Sequence, residues 1–171
     1  MIRHEELKPE EFESHNKAPL DWRDFDWDRK EIHISEDTGK TGARIVPMSD
    51  NLIAWLKPYR LTEGPVCRVA CTSNALWRAK KRAGLPAGKN ESRNVLRKSA
   101  ISYRIGLTNN RGQVAEEAGT SLEKIKSNYR RPASGTAANQ WFGILPTDGE
   151  ILQLDFGGSL VRKASAKIST P

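Results

Sequence analysis

Residues 30–48, KEIHISEDTGKTGARIVPM, constrain the fold more than any other stretch. Ile32 and Ile34 alternate with polar residues, the period of a half-buried strand. Residues 37–42 supply turn chemistry, with Gly39 and Gly42 free to take positive φ. Ile45 and Val46 then give the returning segment β-branched residues suited to a second strand. The pattern predicts a β-hairpin with Lys40 at its tip and Lys30 at its base. Two strands alone are marginal in water, so this hairpin must lean on helices.

Helical signals fill most of the remaining chain, which makes the fold class α+β and mostly helical. Pro47 and Ser49 end the strand, and Ser49 or Asp50 can cap SDNLIAWLKPY. Leu52, Ile53, Trp55 and Leu56 form its apolar side, and Pro58 limits its length. Thr72 or Ser73 can cap SNALWRAKKRAG, closed by Gly84, with Leu76 and Trp77 expected inward. A helix over residues 92–107 carries Val95, Leu96, Ala100, Tyr103 and Leu107 near a 3.6-residue period. A shorter one over 111–118 stops at Gly119, and Ser121 caps another with Leu122, Ile125 and Tyr129 along it. Pro132 breaks the chain before AANQWFGILP, a last helix expected to dock through Trp141, Phe142 and Ile144.

Three segments follow. Residues 1–19, with five glutamates (Glu5, Glu6, Glu10, Glu11, Glu13), read as a poorly specified lead-in with room for a short helix over 9–14. Residues 20–146 form the body, whose Leu20, Trp22, Phe25 and Trp27 need a core to pack on. Residues 147–171 read as a loosely held tail with one alternating piece at Leu152, Leu154 and Phe156.

A net charge of +7 and a pI near 9.6 favour an anionic partner: DNA, RNA or an acidic membrane surface. Cys67 and Cys71 lack the companion ligands a structural zinc needs, so they read as reduced thiols and no metal is expected. No apolar run reaches the length of a membrane span, and the N-terminus lacks a signal core. A soluble, cytoplasmic protein is the expectation.

Three side chains stand out for chemistry. Lys40 at the hairpin tip can enter a nucleic-acid groove or donate a proton, or simply be a solvated turn lysine. Arg97, at the edge of an apolar helix face, either snorkels to water or clamps a phosphate with its rigid fork of donors. Tyr129 either packs a helix end or acts as a nucleophile, with nearby positive charge favouring the phenolate. Arg78, Lys80, Lys81 and Arg82, with Arg130 and Arg131, are the candidates for contact with a nucleic-acid backbone. The helix–break–helix over 111–129 has the outline of a helix-turn-helix, but Glu116 and Glu117 are poor neighbours for phosphate.

Taken in order, these pieces resemble the C-terminal catalytic domain of the tyrosine recombinases, the phage-integrase family. The resemblance runs over residues 20–146. LDWRDFDWDRKEIHI resembles a strand of that domain, and GKTGARIVPMSDNL its lysine-bearing hairpin, with the catalytic lysine falling on Lys40. NVLRKSAISYR resembles the His-x-x-Arg segment, with Arg97 as the arginine. EEAGTSLEKIKSNYRRP resembles the segment with the Gly-His-Ser turn and the nucleophile, which falls on Tyr129. Arg97 precedes Thr120 by 23 residues and Thr120 precedes Tyr129 by 9, a spacing such a domain shows.

The resemblance implies double-stranded DNA as partner, breakage and rejoining through a 3′-phosphotyrosine, no cofactor, and a homo-oligomer on DNA. Two arginines would neutralise phosphoryl oxygens and the lysine would protonate the leaving 5′-oxygen. The chain departs from the pattern in three places. Asn94 and Thr120 stand where the family has histidines. The first arginine, expected about seven residues before the Leu-x-Trp segment on a helix with a glutamate after it, meets Glu13 and Ser14 instead. Arg3 lies too far upstream for that spacing. No counterpart of the family's N-terminal core-binding domain is present. These departures imply a truncated, degenerate recombinase, impaired or inactive as this fragment. The alternatives are a non-catalytic DNA-binding accessory or regulatory protein, and a basic structural or RNA-associated protein. The last would leave Arg97 and Tyr129 far apart.

Overall fold

The computed structural model describes residues 1–8, 16–69, 71–84 and 95–146, and the backbone of 153–154 and 160–161. The fold is α+β, with about seven helices and a small antiparallel sheet of three strands. Strands β1 (Phe25–Asp26), β2 (Glu31–Ile34) and β3 (Arg44–Pro47) lie in sequence order. The predicted hairpin is β2–β3, in a register that pairs Ile32 with Val46 and Ile34 with Arg44. β1 adds a third strand by pairing Phe25 with Ile32. At two residues it is too short for alternation to reveal it.

Alternation turns Ile32 and Ile34 into the first core, beside Leu20, Trp22, Phe25, Val46 and Met48. The indole of Trp22 lies 5.1 Å from the Phe25 ring and 6.3 Å from Trp27, so the aromatics of 20–29 do find their core. Helix α1 (His4–Leu7) precedes the sheet in sequence, and α2 (Asp50–Leu56) follows it. Ser49 is the N-cap of α2, though its hydroxyl donates to Asn51 Oδ1 at 2.6 Å rather than capping the backbone. Pro58 sits in a single 3-10 turn over Lys57–Tyr59 that ends the helix.

Helix α3 (Thr72–Arg82) starts one residue earlier than expected, with Cys71 as N-cap in place of Thr72 or Ser73. Trp77 is not inward: it is 48% exposed, with the Lys81 ammonium over its ring at 5.2 Å. Buried Thr72 and half-buried Leu76, four residues apart, mark the inward stripe of α3. Trp77 lies about 100° further round the helix.

Helices α4 (Val95–Thr108), α5 (Arg111–Ala118), α6 (Leu122–Asn128) and α7 (Gly135–Phe142) form the second half. Its core is Ile101 and Ile105 of α4, Val114, Ala115 and Ala118 of α5, and Ile125 of α6. The predicted apolar face of α4 is therefore corrected. Val95, Leu96 and Leu107 are exposed, and the helix instead buries the stripe through Ile101 and Ile105. That stripe contains Arg97 and Arg104, whose charges disguise it in the sequence. Tyr103 stacks on Trp141 with centroids 4.5 Å apart, as the docking of α7 requires. Gly106 permits the close approach: a Cβ there would meet the Ala133 carbonyl oxygen at 2.4 Å. Ile144 docks through its backbone, accepting from Trp55 Nε1 at 3.2 Å, while its side chain is exposed.

The first residues do not behave as a lead-in. Ile2 and Leu7 pack on the sheet core and Met1 on the helical core. The Leu20 amide donates to the Glu6 carbonyl at 2.8 Å, which closes the segment back onto the body. The helix predicted over 9–14 lies outside the described residues. In the tail, β4 (Gln153–Leu154) pairs antiparallel with β5 (Leu160–Val161), and the remainder lies outside them. Among the described residues, no helix is long and apolar enough to cross a membrane.

Candidate functional site

The site is built around the turn between α5 and α6. Asn110 caps α5 by accepting from the Gln113 amide, and Ser121 caps α6 by accepting from the Lys124 amide. Between them Gly119 takes the left-handed conformation, φ 58° and ψ 48°. Two demands converge on this glycine. The conformation disfavours a side chain, and a Cβ would lie 2.7 Å from Thr41 Oγ1 on the β2–β3 loop. The hairpin loop thus rests directly on the turn, and Thr41 Oγ1 donates to the Gly119 carbonyl at 3.0 Å.

The carbonyls of this turn collect guanidinium groups. Arg97 Nη2 donates to the Ala118 carbonyl and Arg3 Nη2 to the Gly119 carbonyl. Arg97 Nη1 also donates to the Met1 carbonyl at 3.3 Å. Nearby acids are engaged by other cations. Glu5 accepts from Lys40 Nζ at 2.8 Å. Glu6 holds Arg44 in a bidentate pair at 2.7 and 2.8 Å. Glu117 holds Arg104 in another at 2.9 Å for both bonds. Arg3 and Arg97 therefore rest on neutral oxygens and keep their positive fields uncancelled by a direct hydrogen bond to those acids. Burial pulls the Arg97 pKa below the ordinary guanidinium value, and the charge of Arg3 pulls it further in the same direction. Arg3 Nε is buried and makes no hydrogen bond within the described protein. A buried donor without a partner is costly, and an oxygen of a bound anion would relieve that cost.

Tyr129 follows α6 directly as its C-cap, with its amide donating to the Ile125 carbonyl at 3.0 Å. Its side chain is half-buried and packs against the helical core. Burial raises its phenol pKa, and the positive charge of Arg97 acts in the opposite sense. Burial outweighs the arginine, so the phenol is held above its ordinary value.

Thr41 fastens the loop that carries Lys40 to Gly119, and Arg97 grips the neighbouring Ala118 carbonyl. The Lys40 ammonium itself is paired with Glu5, and Tyr129 closes α6 against the helical core. Thr120 is half-buried, immediately after Gly119. Asn94 lies outside the described residues, as do Glu13 and Ser14. Arg78, Lys81 and Arg82 are exposed on α3 and Lys80 is half-buried there; Arg130 and Arg131 are exposed just past Tyr129.

Arg3, too far upstream for the family spacing, nevertheless donates to the carbonyl next to the one that receives Arg97. A signal for it was present. Arg3 immediately precedes a helix in which Glu6 follows three residues later, and the Glu6 carboxylate accepts from the Arg3 amide at 2.8 Å. Among the described residues, no group of three or more His, Cys, Asp or Glu side chains could hold a metal ion. No family model matches this chain, and neither does any curated protein or solved structure compared with it.

Proposed function

We propose that this chain cleaves and rejoins DNA strands in the manner of the tyrosine recombinases, with Tyr129 as nucleophile. The carrying observation is the pair Arg3 and Arg97. Both are anchored on carbonyl oxygens while Glu5, Glu6 and Glu117 are engaged elsewhere. Two forked cations on adjacent carbonyls suit a phosphodiester better than any single-charge ligand.

In this reading Tyr129 Oη attacks the scissile phosphorus, the bond to the 5′-oxygen breaks, and a 3′-phosphotyrosine forms. Arg3 and Arg97 hold the non-bridging oxygens as charge builds on them. Lys40 leaves Glu5 and gives a proton to the departing 5′-oxygen. The phenol proton passes to water, because neither Asn94 nor Thr120 titrates near neutral pH. Arg3 takes the place of the arginine that spacing alone leaves missing, which removes the main reason to expect an inactive fragment. Arg78, Lys80, Lys81, Arg82, Arg130 and Arg131 supply the salt-sensitive grip on double-stranded DNA.

A nicked suicide duplex tests this. Expected is a denaturation-resistant protein–DNA adduct that Tyr129→Phe abolishes while duplex binding persists. Binding that weakens with salt, but with no adduct between pH 6 and 10, would instead establish the non-catalytic DNA-binding reading. The exposed Lys40–Glu5 pair is the observation that favours that second reading, since it occupies the proposed acid.

A further inference from the structure

We infer that Arg44 is a positioning residue for the two phosphate-facing arginines, although it is too buried to touch DNA itself. The inference rests on the phosphodiester reading of the site for its catalytic part only.

Arg44 opens β3, and its side chain is only 7% exposed. Its guanidinium ties together three segments that are remote in sequence. Nη1 and Nη2 grip the two oxygens of Glu6 at 2.8 and 2.7 Å. Nη2 also donates to the Met1 carbonyl at 3.0 Å, and Nε to the Glu117 carbonyl at 3.4 Å. Each contact bears on one of the neighbouring arginines. The Glu6 carboxylate that Arg44 orients also accepts from the Arg3 amide, fixing where the Arg3 side chain begins. The Met1 carbonyl that Arg44 holds is shared with Arg97 Nη1. The Glu117 carbonyl immediately precedes the Ala118 and Gly119 carbonyls on which Arg97 and Arg3 rest. Arg44 also underlies the turn itself: its Cδ and Nε lie 3.2 Å from where a Gly119 Cβ would be.

A planar fork is required for this set of contacts. Lysine could neutralise Glu6 but could not reach both carboxylate oxygens, Met1 and Glu117 in fixed directions. Arg44→Lys should therefore retain the fold and much of the charge while loosening Arg3 and Arg97. Misplacing catalytic groups by about 1 Å costs on the order of 10²-fold in rate without a matching loss of ground-state binding.

The test has two arms on the full chain. The first compares single-turnover adduct formation and duplex affinity in wild type, Arg44→Lys and the apolar double variant Glu6→Leu/Arg44→Leu. Replacing both partners of the buried pair removes the brace without stranding a charge. Expected is a fall in cleavage of about 10²-fold in each variant, with duplex affinity within about threefold of wild type. The second arm needs no activity: side-chain Nε–Hε NMR signals of Arg3 and Arg97, assigned by substitution. Both should shift and exchange faster with water in Arg44→Lys, with a folded backbone spectrum. Unchanged Arg3 and Arg97 signals would overturn the bracing role, whatever the enzymology shows. So would wild-type cleavage by Arg44→Lys. A wild-type protein that forms no adduct would sink the catalytic reading alone, and the NMR arm would still decide the brace.

Discussion

Under the proposed phosphodiester reading, Arg3→Ala separates the phosphate contact from folding. The structure sets both sides of the comparison. On the folded side little is lost. The Gly119 carbonyl keeps the Thr41 hydroxyl at 3.0 Å, and the Arg3 amide that Glu6 accepts survives in alanine. The buried, unpartnered Nε disappears, and so does the charge that presses down the Arg97 pKa. One lost hydrogen bond against two relieved penalties leaves a stability change within about 1 kcal/mol. In the proposed reaction a donor to developing phosphoryl charge would be lost, worth about 3 kcal/mol of transition-state stabilisation, or on the order of 10²-fold in rate. Arg3→Lys keeps the charge but not the fork and should fall between. The assay is single-turnover adduct formation on a suicide duplex at saturating protein, with a urea melt for each variant. Cleavage by Arg3→Ala within twofold of wild type would refute the assignment. A loss of activity matched by a loss of several kcal/mol in stability would refute the separation.

Three further outcomes follow from the same geometry. Burial raises the Tyr129 pKa and Arg97 opposes that rise, so the phenol is protonated at neutral pH. Adduct formation should therefore climb about tenfold per pH unit from pH 7 toward the phenol pKa, and a flat profile would argue against phenolate attack. Gly119→Ala forces an alanine to φ 58° and its Cβ to 2.7 Å from Thr41 Oγ1. It should cost about 2 kcal/mol and lower Tm by roughly 4 to 8 °C in a chain of this size, with Thr41→Ala recovering part of the loss. Glu117→Ala strands Arg104, whose side chain is 19% exposed, and should cost about 3 kcal/mol in a urea melt, with Glu117→Gln milder.

Some of this was legible in the sequence and some was not, for identifiable reasons. The β2–β3 hairpin was readable because Ile32 and Ile34 impose a period of two and its loop is written in turn residues. The α5–α6 break was readable because Gly119 and Ser121 are a helix stop and a helix start two residues apart. Tyr129 and Lys40 could be singled out from those landmarks. The inward face of α4 was not readable. Arg97 and Arg104 occupy its buried stripe, and the Ala118 carbonyl and Glu117 carboxylate that receive them lie on another helix that no local pattern reveals. Trp77 misled in the opposite sense, since its size suggested burial while its place on α3 faces solvent. Arg3 failed for a third reason. The helix that follows it is four residues long, too short to show periodicity, and its partner at Gly119 is 116 residues away. Only the glutamate three positions on hinted at a fixed role.

That separation also imposes an order on assembly during synthesis. Arg3 and Glu6 leave the ribosome before the groups they contact on β3 and after α5. Arg44, which neutralises Glu6, comes 38 residues after it, and the Gly119 carbonyl comes 116 residues after Arg3. At typical elongation rates the second interval lasts roughly 6 to 23 seconds. The sheet half can condense during that wait, but the two arginines cannot be brought together until the α5–α6 turn is made. A nascent chain would therefore carry the basic residues of α3 before it could set Arg3 and Arg97 on adjacent carbonyls.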